Sequence, residues 1–234
     1  MWFDPVYFLY VGPAILLAMW AQYRVKSAYA QASQFTPRSG LSGAETAQRI
    51  LNAYGIPNVA IEPVKSFLGD HYDPKHKVLR LSPDVYHGRS LAALGIAAHE
   101  VGHAIQDSTG YGPLAIRNGL VPMASVGSNL SIVLVIIGLL LSAAVPSARY
   151  IAVAGLGLFA VVVLFQLVNL PVEYNASARA RDILVRQGMV TVDEDRVVKK
   201  VLSAAALTYV AATLTAILTL LYYVSLVYGG RRND

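Results

Sequence analysis

The chain has 234 residues, 55% hydrophobic and 14% charged, and its mean hydropathy is +0.48. Soluble domains average about 25% charged, so water is not its only solvent. The net charge of +5 comes without the basic and aromatic array that nucleic acid would require, and cysteine is absent, which excludes disulfides, thiolate zinc ligands and cysteine nucleophiles.

Four stretches contain no Asp, Glu, Lys or Arg: those between Asp4 and Arg24, Arg117 and Arg149, Arg149 and Glu173, and Lys200 and Arg231. A bilayer-crossing helix needs roughly 20 apolar residues, and spans are expected at 6–23, 121–145, 151–170 and 204–228. The opening "MWFDP" lacks the basic segment of a cleavable signal, so the first span is read as a retained anchor. Lysine and arginine concentrate between Arg24 and Arg117 and between Arg179 and Lys200; the positive-inside rule puts both segments in the cytoplasm. The turn at 142–150 and both termini then face outside, with Arg231 and Arg232 of the tail running against the rule.

The expected organisation is a mainly α polytopic membrane protein with about four transmembrane helices and a small α+β cytoplasmic segment. It comprises an anchor (1–24), a cytoplasmic segment (25–117), a helical hairpin in the membrane (118–172), a cytoplasmic helix (173–200) and a last span with its tail (201–234). Within the first cytoplasmic segment, 43–54 reads as a helix with Ala47, Ile50, Leu51 and Tyr54 on one side, ended by Gly55 and Pro57. "VAIEPV" at 59–64 is a short strand, Asp73 and Pro74 make a turn, and "KVLRLS" at 77–82 alternates as a strand. That last strand is either a sheet edge, able to pair with an extended substrate, or an ordinary core strand. The alanine-rich run 89–107 reads as a helix.

"AAHEVGHAIQD" (97–107) carries the chemistry. Positions i and i+4 of a helix share a face about 6 Å apart, so His99 and His103 can address one ion, and Glu100 can reach a water beside it. This is the His-Glu-x-x-His arrangement of zinc-dependent proteases. Zinc needs a third protein ligand if it is to keep one position open. Asp107 lies about 12 Å along the axis from His99, too far to share the ion, and no histidine follows His103. A later ligand must be a carboxylate. Glu173, directly after the third span, is the best candidate, since two crossings return the chain to the same membrane face; Asp182, Asp193, Glu194 and Asp195 lie further on. Pro171 is expected to break the third span and let a new helix start.

"AAHEVGHAIQD" with "GYGPLAIRNGLVP" and "LPVEYNASARA" resembles the YugP-type neutral zinc metallopeptidases, similar in plan to the HtpX-like membrane proteases. The likeness runs over essentially the whole chain. It implies a zinc-protease-like segment of gluzincin type in which His99, His103 and Glu173 hold Zn2+ and Glu100 is general base and acid. HtpX-like proteins carry Glu-x-x-Ala-Asp; here the last position is Ser177, and Asn175 stands where YugP-type proteins often have Asp. Either can accept an imidazole N–H. Tyr174, Arg179 and Arg181 are candidates to stabilise an oxyanion.

The expected function is hydrolysis of peptide bonds near the cytoplasmic face of a prokaryotic plasma membrane, acting on peptides or membrane proteins, with the lipid bilayer as the other partner. The alternative is a membrane scaffold or assembly factor with a structural zinc site. A protease cutting within the spans would draw on Ser128, Asn129, Ser131, Gln166 and Asn169, which serve helix packing equally well.

Overall fold

The computed structural model describes residues 5–65 and 69–229; Arg231 and Arg232 lie outside them. In chain order the elements are α1 (Pro5–Ala32), α2 (Gly43–Ala53), β1 (Ala60–Pro63), β2 (His71–Asp73), β3 (Val78–Leu81), α3 (Pro83–Tyr86), α4 (Leu91–Ser108), α5 (Gly112–Ser142), a 3-10 turn (Pro146–Ala148), α6 (Arg149–Arg186) and α7 (Val192–Gly229). Two compact units divide the chain: Met1–Trp20, Ile116–Leu170 and Thr208–Asp234 form one, Ala21–Ala115 and Pro171–Leu207 the other.

The first unit consists of apolar helix. The four long helices are each long and apolar enough to cross a membrane, yet only 17% to 33% of their most apolar windows is buried. Leu9, Leu16 and Leu140 are 76%, 67% and 61% exposed. Such surfaces are stable only against lipid, which makes this a mainly helical, polytopic membrane protein. Where α5 and α6 meet, glycine removes the side chain: a Cβ on Gly138 would come within 2.2 Å of the Ala152 nitrogen. That is the small-residue contact by which helices associate in lipid.

Three of the expected spans lie inside longer helices, and the fourth, 121–145, runs three residues past the end of α5. Pro171 does not end one, because α6 passes through it unbroken. A proline costs a helix one backbone bond, here the one to the Leu167 carbonyl, a loss that membrane helices tolerate. The stretch 173–200 is consequently the end of α6, a turn, and the start of α7 rather than one helix.

The second unit has the compact core. Ser42 and Glu45 close a capping box at the start of α2, and Ile50 and Leu51 are fully buried, whereas Tyr54 is 45% exposed and caps the helix end instead of joining its apolar side. The sheet order is β1-β3-β2, with β1 parallel and β2 antiparallel to β3. "KVLRLS" is therefore the central strand, and the edges are β1 and β2, the latter a strand of three residues that is too short to read in the sequence. Between β2 and β3, the Asp73 carboxylate accepts from the amides of Lys75 (3.0 Å) and His76 (3.1 Å), an Asx turn, and Lys77 takes the left-handed φ of 52°.

Helix α4 runs through the middle of this unit and is buried on nearly every side, which is why its sequence is apolar all round rather than striped. Its glycines set how near the neighbours come. A Cβ at Gly95 would meet Val198 Cγ1 of α7 at 2.9 Å, and one at Gly102 would meet the Ala176 carbonyl oxygen of α6 at 2.8 Å. The second contact is with backbone, which cannot rotate aside. Gly102→Ala is expected to destabilise the protein by about 1–3 kcal/mol, read as a lowered Tm. Gly119→Ala, whose added methyl meets nothing within 4 Å, should not lower it.

Candidate metal centre

His99 and His103 stand on consecutive turns of α4 with ring centroids 4.8 Å apart. Glu173, on α6 and 3% exposed, places Oε2 at 3.2 Å from His99 Nε2 and 3.6 Å from His103 Nε2. One ligand atom from each residue lies within 4.8 Å of the others. Donors bound at roughly 2.0–2.2 Å around a tetrahedral zinc sit about 3.4 Å apart, so the donor set fits that ion in both chemistry and span. A carboxylate this deeply buried requires compensating charge or a metal, and its contacts here are the two imidazoles.

The outer ring nitrogens are also committed. His99 Nδ1 is 3.1 Å from the Ser177 hydroxyl, and His103 Nδ1 is 3.0 Å from Gln106 Oε1. The tautomer of His103 follows from elementary donor counting. Arg179 can only donate, and its Nε does so to Asn175 Oδ1 at 2.7 Å. Gln106 Nε2 must therefore donate to that same oxygen, at 3.0 Å, and to the Val172 carbonyl, at 2.8 Å. This leaves Oε1 to receive a proton from His103 Nδ1, so that in the neutral ring Nε2 is the nitrogen free to bind an ion. Gln106 is completely buried.

Glu100 follows His99 on α4 and is 9% exposed. One of its oxygens accepts the Tyr72 backbone N–H at 3.1 Å, so β2 presents its outer edge to this carboxylate. The Tyr72 hydroxyl donates to Asp107 at 2.7 Å, and Lys77 pairs with the same carboxylate; Asp107 thus belongs to the hairpin and not to the histidine pair. At His103, burial alone would push the imidazole pKa down, but the hydrogen bond to Glu173 and the charges of Glu100 and Glu173 outweigh it, and the net shift is upward.

The other residues singled out in the sequence are distributed around this cluster. Ser177 and Asn175 support the imidazoles, one directly and one through Gln106. Arg179 holds Asn175 and lies 5.9 Å over the Tyr111 ring. Arg181 turns to α7, where Asp195 accepts from its Nε at 3.0 Å and its terminal nitrogen at 2.6 Å. Tyr174 is 51% exposed and, with Ser177 and Arg181, lines a cleft of about 320 Å³. Ser177 is thus shared between that cleft and the contact with His99 Nδ1. Gln106 and the Tyr72 amide are functional groups the motif does not disclose. Only the i+3 spacing from His103 could have pointed to Gln106.

A family model described as "Putative neutral zinc metallopeptidase" matches residues 7–228, and the chain belongs to that family. It is 45% identical over 223 residues to the "Putative membrane protease YugP" of Bacillus subtilis (strain 168), a match spanning 94% of this chain and 96% of the relative. No solved structure matches.

Two outcomes are expected. Gln106→Leu removes the acceptor that fixes His103 and should weaken zinc binding about 10–100-fold, measured by competition with a chromophoric chelator. The wild type should bind zinc more tightly as pH rises through the elevated His103 value, since the ion must displace the imidazole proton; affinity flat across that range would contradict the assignment.

Proposed function

We propose that the protein is a membrane-embedded, zinc-dependent endopeptidase of gluzincin type that cuts peptide bonds near the cytoplasmic membrane face. The observation that carries this reading is the convergence of His99 Nε2, His103 Nε2 and the Glu173 carboxylate beside the buried Glu100. The zinc family and the relative's description as a membrane protease support it. His99, His103 and Glu173 would hold the ion, which when bound supplies Lewis acidity to a water and a scissile carbonyl.

The chain's own groups do the rest. Glu100 keeps one oxygen on the Tyr72 amide, leaving the other to take a proton from the attacking water and return it to the departing amine. Ser177 and Gln106 hold the imidazoles with Nε2 pointing inward, and Gln106 fixes the tautomer of His103. With Arg181 engaged by Asp195, Tyr174 and Arg179 remain to stabilise the oxyanion. An extended substrate that adds to the sheet would do so at β2, the edge strand that meets Glu100, and not at the central β3. The cytoplasmic assignment rests on the lysines and arginines between the spans, and the position of Glu173 just past an apolar run suits membrane proteins and juxtamembrane segments as substrates.

Glu100→Gln preserves shape and removes the base. Zinc content should stay at the wild-type level while cleavage of a quenched fluorogenic peptide falls at least 100-fold; undiminished cleavage would refute the mechanism. Wild-type protein that binds zinc and cleaves no peptide or membrane protein would instead favour a scaffold with a structural ion.

A further inference from the structure

A second recess of about 490 Å³ lies between α1 and α7, within the compact unit and apart from the histidine cluster. Arg24, Ser27, Ala28 and Gln31 line it from α1, Val197 and Lys200 from α7. The α1 residues fall at i, i+3, i+4 and i+7, so they form one stripe along the helix, and the α7 pair adds a second cation from across the gap. Among the described residues, no carboxylate lines it.

Arg24 is the first charged residue after Asp4, and Lys200 is the last before Arg231. Each therefore marks, on its own helix, the end of a run apolar enough for the bilayer interior, the level at which lipid phosphates sit. Solitary juxtamembrane cations are common anchors that point into solvent. Here cations from two helices share one concavity of ligand-binding size with a hydroxyl and an amide. Guanidinium and ammonium only donate; Gln31 Nε2 gives one proton to the Ser27 hydroxyl at 3.5 Å and keeps a second, and the hydroxyl keeps its own, a set matched to an acceptor-only group.

We propose that this cleft binds a phosphate group, that of an anionic phospholipid headgroup, with Arg24 and Lys200 as the charge partners and Ser27 and Gln31 as neutral donors. The site takes no part in the proposed peptide hydrolysis and stands whether or not that reading holds.

Native mass spectrometry of the full chain, released from micelles containing dioleoylphosphatidylglycerol or dioleoylphosphatidylcholine, tests it. The wild type should retain phosphatidylglycerol in preference to phosphatidylcholine. Arg24→Gln and Lys200→Gln should each lower retention about 5-fold, and Ala28→Leu, which fills the cleft and leaves the charge alone, should lower it comparably. Lys199→Gln, beside the cleft, should not. Retention unchanged in Lys200→Gln and Ala28→Leu, or lowered equally by Lys199→Gln, overturns the site. An excess of inorganic phosphate separates the sources: retention that persists supports the lipid headgroup. Displacement by phosphate, with phosphate raising the Tm of the wild type and not of Lys200→Gln, overturns the lipid assignment in favour of free phosphate.

Discussion

The Glu173 carboxylate, buried against two imidazoles, is the constraint on which the site depends. A charge at 3% exposure costs several kcal/mol unless its surroundings compensate. The compensation available is two rings on consecutive turns of α4, with Nε2 atoms 3.2 and 3.6 Å away. Those rings have their outer nitrogens engaged by Ser177 and Gln106, so neither can turn to serve the carboxylate in another way. The pocket is thereby pre-formed for a cation that can accept two nitrogens and one oxygen.

Such a site requires the backbones of α4 and α6 to approach closely. Gly102 allows it, since the Ala176 carbonyl occupies the space a methyl would take, and Gln106 then spans the remaining distance to Val172 and Asn175. The glutamine does two things at once. It donates to a carbonyl of the neighbouring helix, and it selects the tautomer of a ring one turn back on its own helix. Small residues where helices touch and one fully buried amide where they diverge account for the arrangement without any long loop.

What the sequence disclosed, it disclosed through short-range geometry and scarcity. The i, i+4 spacing of His99 and His103 is fixed by any helix, and with no histidine after His103 and few carboxylates near an apolar boundary, Glu173 stood out. The four apolar runs were plain from the absence of charge. The rest depended on tertiary context. Pro171 reads as a helix end by the rules of soluble proteins, yet α6 continues through it. The strand His71–Asp73 has too few residues for alternation to register, so the sequence left "KVLRLS" open as edge or core strand, and only its pairing on both sides decides. Tyr54 kept the spacing of a core residue and became a cap. Gln106 carries no signal of its own, because its role exists only once Asn175 and Arg179 have fixed which end of its amide must face which neighbour.

The contact between Glu100 and β2 is made by the peptide group of residue 72 and by no side chain. Chemical identity at that position is thereby uncoupled from the pose of the glutamate: aromatic, aliphatic or polar replacements all bring the same amide hydrogen, and only proline, which has none, would delete it. Drift at this site can remodel what the strand offers an incoming polypeptide while the proton acceptor beside it stays where it is.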